Sequence, residues 1–243
     1  MLTVSVCYHT ATGQSIAERV APPGMDNGSP SSTGAGAGLR ARLRRGILRA
    51  LASPRAPLIY TGPVTLMVAA EWSAAGNHFA RERLSNLAVE APVSRSRKVG
   101  AETIAAGRRS MRDVVERRCK TAGIELSAAF SEDSLELFIG KSGGLLRQML
   151  KILRGASKQA GLEGCGRVEL DLAVAACDVE RKEFEITMTA QRREELEFIA
   201  EHGEPRGGQV SHELLLWNYA VPYTNGELWF APNPLIDLDS RRT

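Results

Sequence analysis

The stretch Ser142-Gly143-Gly144-Leu145-Leu146-Arg147 opens a helix that the residue pattern carries on to about Ala160. Leu145, Leu146, Met149, Leu150, Ile152 and Leu153 form a broad apolar stripe at helical spacing, and Arg147, Lys151 and Arg154 follow at i, i+4 and i+7 as a basic edge. The stripe predicts burial of one side, which leaves an arginine near the helix start free to point elsewhere. Just upstream, Ser131 to Ile139 predicts a shorter helix. Ser131 is a good N-cap, Glu132 and Asp133 suit the positive first turn, and Leu135, Leu137, Phe138 and Ile139 supply the buried side. Between the helices, Gly140-Lys141-Ser142 has the look of the tail of a phosphate-binding loop, G-x-x-x-x-G-K-[ST]. The first glycine of that pattern would have to stand at Leu135, inside a predicted helix, and no strand leads into it. The segment therefore reads as a helix end, a glycine turn and a new helix.

Working outward, 243 residues suffice for one large or two small domains, and 43% hydrophobic with 24% charged residues is the balance of a soluble globular chain. A formal net charge of +3 permits an anionic partner without arguing for one. Cys7, Cys119, Cys165 and Cys177 contain no C-x-x-C pair, and no histidine stands at ligand spacing from them, so they read as reduced thiols rather than metal ligands. No apolar run approaches the ~20 residues needed to cross a bilayer. The N-terminus lacks the pattern of a secretory signal, which gives a cytoplasmic reading with no membrane partner. An acid-poor, arginine-bearing start is also the composition of a mitochondrial leader, the alternative for the first 55 residues.

Residues 1–38 read as a flexible arm. Val4, Val6 and Tyr8 suit a short strand, but Pro22-Pro23-Gly24, Asn27-Gly28-Ser29-Pro30 and the small-residue run to Gly38 have little to bury. Leu39, Leu43, Ile47 and Leu51 then recur every four residues among Arg40, Arg42, Arg44, Arg45 and Arg49, a basic amphipathic helix. Leu58 to Thr61 and Val64 to Val68, interrupted by Gly62-Pro63, suggest a buried parallel strand, and Leu87 to Val93 a second strand. From Gly100 the pattern is helical for about a hundred residues. Ile104 to Cys119 mark one helix, Val168 to Ala176 another that extends toward Ile186, and Thr189 to Glu201 a third that stops at Gly203. Val210 to Tyr219 predicts an apolar helix. Asn225-Gly226 between β-formers is a strong hairpin signal, because both turn residues must accept positive φ.

Taken in order, Ile59-Tyr60-Thr61-Gly62-Pro63-Val64, the short strand before Arg95 to Gly100, Ser142-Gly143-Gly144 with Arg147, and Leu214-Leu215 through Tyr223-Thr224-Asn225-Gly226-Glu227-Leu228-Trp229-Phe230 to Asn233-Pro234-Leu235-Ile236 resemble the C-terminal half of bacterial AAA+ or STAND-like P-loop ATPases. These are similar to origin-recognition ATPases. The resemblance covers roughly Leu39 to Leu238. It implies a chain that is mainly α with a small β part: a remnant of an α/β ATPase core over 39–98, a helical lid over 99–165 and a winged-helix-like domain over 166–243. It further implies that Thr61 stands at sensor 1, watching the γ-phosphate, and that Arg147 stands at sensor 2, reaching the nucleotide phosphates. A guanidinium suits the second task because its fork matches phosphate oxygens. The plain alternatives are a solvated or ion-paired helix arginine and an ordinary strand threonine.

The departure from that family is large. No G-x-x-x-x-G-K-[ST] is present, and no apolar strand ending in paired acids precedes Leu58, so neither the phosphate cradle nor a magnesium ligand is encoded. The expectation is a non-catalytic module with no cofactor of its own, ATP and Mg²⁺ entering only with a partner that carries a P-loop. Such a module would supply Arg147, or Arg81 or Arg83, in trans, or self-associate through an exposed sheet edge at Leu58 to Val68. The alternative is a winged-helix protein that binds DNA, with Arg40, Arg44, Arg45 and Arg49 on phosphates; against it, the helix before the wing is acidic and apolar. An unrelated enzyme finds no support in the scattered His9, His78, His202 and His212.

Overall fold

Alternating and apolar segments pair as strands where a distant partner reaches them, and capped amphipathic segments make the remaining elements. The computed structural model describes residues 3–7, 59–63, 85–92, 99–225 and 227–238. The chain divides into two units, Met1–Leu84 and Ser85–Thr243. In the first, β1 (Thr3–Cys7) pairs antiparallel with β2 (Ile59–Pro63), with Thr3 opposite Pro63 and Cys7 opposite Ile59. This corrects one expectation: the described pairing of the 59–63 strand is antiparallel rather than parallel. Thr3–Cys7 holds the short strand that Val4 and Val6 suit. An apolar run carries no direction of its own; the partner supplies it. The remainder of the arm, the basic segment 39–51 and residues 64–84 lie outside the described residues.

In the second unit α1 (Ala101–Thr121), α2 (Leu126–Ala129), α3 (Glu132–Lys141), α4 (Leu146–Glu163), α5 (Leu170–Ile186), α6 (Ala190–His202) and α7 (Gly208–Leu216) precede a hairpin of β3 (Ala220–Asn225) and β4 (Glu227–Pro232). The described residues are thus mainly helical with a small antiparallel β part. The helix starts obey their caps: Ser131 Oγ accepts from Ser134 N at 3.2 Å, and Thr189 Oγ1 accepts from Arg192 N at 3.2 Å. Gly203, with φ +73°, ends α6.

One core joins α1, α3, α4 and α5. Met111, Leu135, Phe138, Ile139, Met149, Ile152, Ala156 and Ala173 are fully or almost fully buried in it, and each large apolar side chain contributes about 1.5–3 kcal/mol by leaving water. The boundary expected after residue 165 falls inside this core, because α5 packs on both α3 and α4. Arg108 and Arg112 of α1 pair with Glu136 and Glu132 of α3, tying the same two helices at their rims. α6 packs on α7 and β4, with Leu196, Ile199, Leu214 and Leu215 buried.

A buried carboxylate joins α6 to α7. Glu195, 5% exposed, accepts from Ser211 Oγ at 2.6 Å and from Arg206 N at 2.8 Å, and Ser211 Oγ in turn accepts from Gly207 N at 2.9 Å. Removing the acceptor leaves the Arg206 amide unpaired and the Ser211 hydroxyl with only its 3.0 Å bond to Gly207 O, so Glu195→Ala is expected to lower the unfolding free energy by about 1–2 kcal/mol. Urea unfolding followed by circular dichroism measures it; a variant as stable as the parent would show that the cluster contributes nothing.

Residues 85–91 are extended but form no strand, which corrects the second strand expected over Leu87 to Val93. The one bridge is Asn86 with Tyr223, in the parallel sense. Other groups claim the backbone: Arg108 Nη1 donates to Val89 O at 2.9 Å, while Gly107 of α1 and Gly144 lie against the carbonyls of Ala88 and Leu87. The Asn86 side chain adds a hydrogen bond to Pro222 O at 2.8 Å.

Candidate functional site

The turn between α3 and α4 is built by two residues that only glycine tolerates without strain. Gly143 and Gly144 have φ of +57° and +75°, which reverses the chain after Ser142 and lets α4 start at Leu146. Ser142, fully buried, holds the turn internally: its Oγ donates to Ile139 O at 2.6 Å and accepts from Gly144 N at 3.1 Å. Met149, Ile152 and Leu153 drive the inner side of α4 into the core. Arg147 is left on the outer side in the first turn. It is exposed, and it has no hydrogen-bond or ion-pair partner among the described residues.

Its companions on the basic edge differ. Lys151 binds Glu180 and Glu183 of α5, each at 2.6 Å; burial works against its charge, yet those carboxylates hold its pKa above the ordinary lysine value. Arg154 is exposed and unpaired among the described residues, about two turns of α4 beyond Arg147. The three cations look alike in the sequence. α5 sets Lys151 apart from the two arginines, and Arg147 alone of these stands in the first turn of α4.

The same structure disposes of a phosphate cradle at Gly140-Lys141-Ser142. Gly140 and Lys141 are the last helical residues of α3, Lys141 Nζ donates to Pro234 O at 3.2 Å, and Ser142 Oγ faces Ile139 O. These residues do not fit a nucleotide phosphate group or its magnesium ion, and no group of His, Cys, Asp or Glu that could hold a metal occurs among the described residues.

C-terminal residues brace the turn. Tyr223 of β3 donates its hydroxyl to Gly143 O at 2.6 Å; its ring stacks on Trp229 with centroids 4.2 Å apart. Burial, and next the Glu90 carboxylate, push the Tyr223 phenol above its ordinary pKa, so it remains a donor. The amides of Gln148 and Asn233 exchange hydrogen bonds at 3.0 and 2.8 Å. An open groove of about 1300 Å³ runs beside this bracing, lined by Glu90, Lys141, Gly143, Tyr223, Trp229 and Pro234 among others; Arg147 does not line it.

Of the other residues singled out in the sequence, Thr61 lies in β2 opposite Ser5, within the first unit. Arg81, Arg83, Arg40, Arg44, Arg45 and Arg49 lie outside the described residues. The bracing residues Gln148, Tyr223 and Asn233 were not singled out as functional. No periodicity marks them, since their partners stand some 80 positions away in the chain. Among the described residues no helix is long and apolar enough to cross a membrane. Comparison with protein-family models, with characterised proteins and with solved structures finds no match to the chain in any of the three.

Proposed function

We propose that the chain acts as a non-catalytic regulatory or interaction module, the lid and winged-helix portion of an AAA+ or STAND-like ATPase, which presents Arg147 to a nucleotide held by a P-loop partner. One observation carries this reading. Arg147 is an exposed guanidinium, unpartnered among the described residues, in the first turn of a helix whose start is fixed by a braced glycine turn. A rigid backbone confines the ordering cost to the side chain when an unpaired arginine binds phosphate oxygens, whereas one in a surface ion pair must also give up its carboxylate. ATP and Mg²⁺ belong to the partner in this reading. The order of helices followed by the β3–β4 hairpin supports a wing at the C-terminal end.

DNA binding through that wing is the weaker reading. α7 contains no lysine or arginine, and its Glu213 pairs with Arg192 at 2.9 Å, so this helix offers phosphates no lysine or arginine cation.

The full chain alone is expected to show no ATP turnover above background with Mg²⁺. Turnover that Lys141→Ala abolishes would overturn the reading at once. The positive test uses the full chain as bait in extract of its native host, identifies captured proteins that carry a P-loop, and reconstitutes the pair. Arg147→Ala is expected to keep the pair together, leave thermal stability unchanged and lower the partner's ATP turnover roughly 10²-fold, the scale of losing one cation or donor at a developing phosphate charge. Turnover indifferent to Arg147→Ala, or failure of every captured P-loop protein to reconstitute, would count decisively against it.

A further inference from the structure

We infer that the C-terminal hairpin sets where Arg147 points, with Tyr223, Gln148 and Asn233 as positioning residues for it. The geometry stands by itself; its consequence for turnover rests on the reading of Arg147 just proposed.

Gly143 and Gly144 carry no side chains with which the turn could anchor itself, and a glycine pair has more conformational freedom than any other dipeptide. Ser142 ties the turn locally, through Ile139 O and Gly144 N, and contacts from distant parts of the chain add to that hold. The residues C-terminal to α7 supply three polar contacts. Tyr223 Oη donates to Gly143 O at 2.6 Å, Asn233 exchanges two hydrogen bonds with Gln148, and Pro234 O accepts from Lys141 Nζ at 3.2 Å. They grip the turn on both sides, the last residue of α3 and the first turn of α4.

Gln148 adjoins Arg147 in the chain, and its Nε2 also donates to Lys141 O at 2.8 Å, so one side chain spans the turn and reaches the hairpin end. Asn233 is 0% exposed and is itself fixed, with Nδ2 donating to Asn218 O at 2.9 Å and Oδ1 accepting from Leu235 N at 3.0 Å. Apolar contacts slide; hydrogen bonds from the buried Asn233 amide and the buried Tyr223 phenol hold one register, because a small displacement leaves those two groups short of partners. A shift of the hairpin is thus transmitted to the α4 start through these contacts, with Gln148 as the receiving residue in α4. A partner that engages the hairpin would alter the presentation of Arg147 without touching it.

The test compares the full-length parent with Tyr223→Phe, which keeps the ring on Trp229, and with Gln148→Ala, a half-buried site that leaves the apolar core intact. Hydrogen exchange read by mass spectrometry is expected to speed up by about tenfold at the amides of residues 143–149, while α1 and α5 exchange as in the parent. Unchanged exchange, or acceleration spread evenly over α1 and α5 in step with a loss of global stability, would overturn the inference. A second readout uses the reconstituted P-loop partner. Tyr223→Phe is expected to lower ATP turnover and to add nothing when combined with Arg147→Ala. Local loosening with turnover indifferent to Arg147→Ala upholds the hairpin's control and sinks the reading of Arg147. Turnover that needs Arg147 yet ignores both Tyr223→Phe and Gln148→Ala sinks the hairpin's control and spares that reading.

Discussion

Gly144→Ala is expected to lower the unfolding free energy by about 4 kcal/mol, which leaves little of the margin of a typical domain. Two costs add. An alanine held at φ +75° sits in the left-handed region, at about 1–2 kcal/mol. The added Cβ would also lie 1.7 Å from Leu87 O and 2.8 Å from Leu87 C, both backbone atoms, so no rotamer change can relieve the overlap. Either the turn or the extended segment 85–91 must move, at about 1–3 kcal/mol for a small overpacking defect. Moving the segment would loosen what holds it, the Asn86 side chain on Pro222 O and Arg108 on Val89 O. Urea unfolding gives the measurement. A Gly144→Ala protein within about 1 kcal/mol of the parent would show that the turn yields easily, and it would remove the basis for calling the α4 start rigid.

What could be read from the residues beforehand was local. Ser131 with its two acids, the Ser142-Gly143-Gly144 turn, Thr189 and Gly203 at the ends of α6, and Asn225-Gly226 between β-formers each act within a few positions. Each helix signal correspondingly lies at the helix end expected of it, and β3 ends at Asn225 paired with Glu227 of β4. What escaped depends on partners far along the chain. The apolar run at Ile59 carried no sign that Thr3–Cys7 would pair with it, and so its direction was misjudged. Leu87 to Val93 is apolar enough to suggest a strand, yet the carbonyls of Leu87, Ala88 and Val89 face two glycines and an arginine of other elements instead of a ladder. The candidate site shows the same division. The helical spacing put Arg147 on an outward edge, but its freedom from ion pairing is a property of where α5 places Glu180 and Glu183, beside Lys151 and not beside Arg147.

The helical glycines provide the other large effect, because similar residues should respond with opposite sign. Gly107 lies inside α1, where alanine ordinarily gains about 1 kcal/mol over glycine. Here its Cβ would stand 2.1 Å from Ala88 O and 3.0 Å from Ala88 C, which forces α1 away from the extended segment and with it Arg108 from Val89 O and Glu136. Gly107→Ala is therefore expected to cost about 3 kcal/mol net, the overpacking and the lost hydrogen bonds outweighing the gain in helix propensity. Gly155, inside α4, meets nothing within 4 Å, and Gly155→Ala is expected to stabilise by up to about 1 kcal/mol. The pair of variants, unfolded in urea side by side, separates a glycine retained for close approach from one that is not. Should both stabilise, the extended segment would not be pressed against α1. The bracing of the Arg147 turn would then lose the support that segment 85–91 lends it through Leu87, leaving the hairpin contacts alone to hold it.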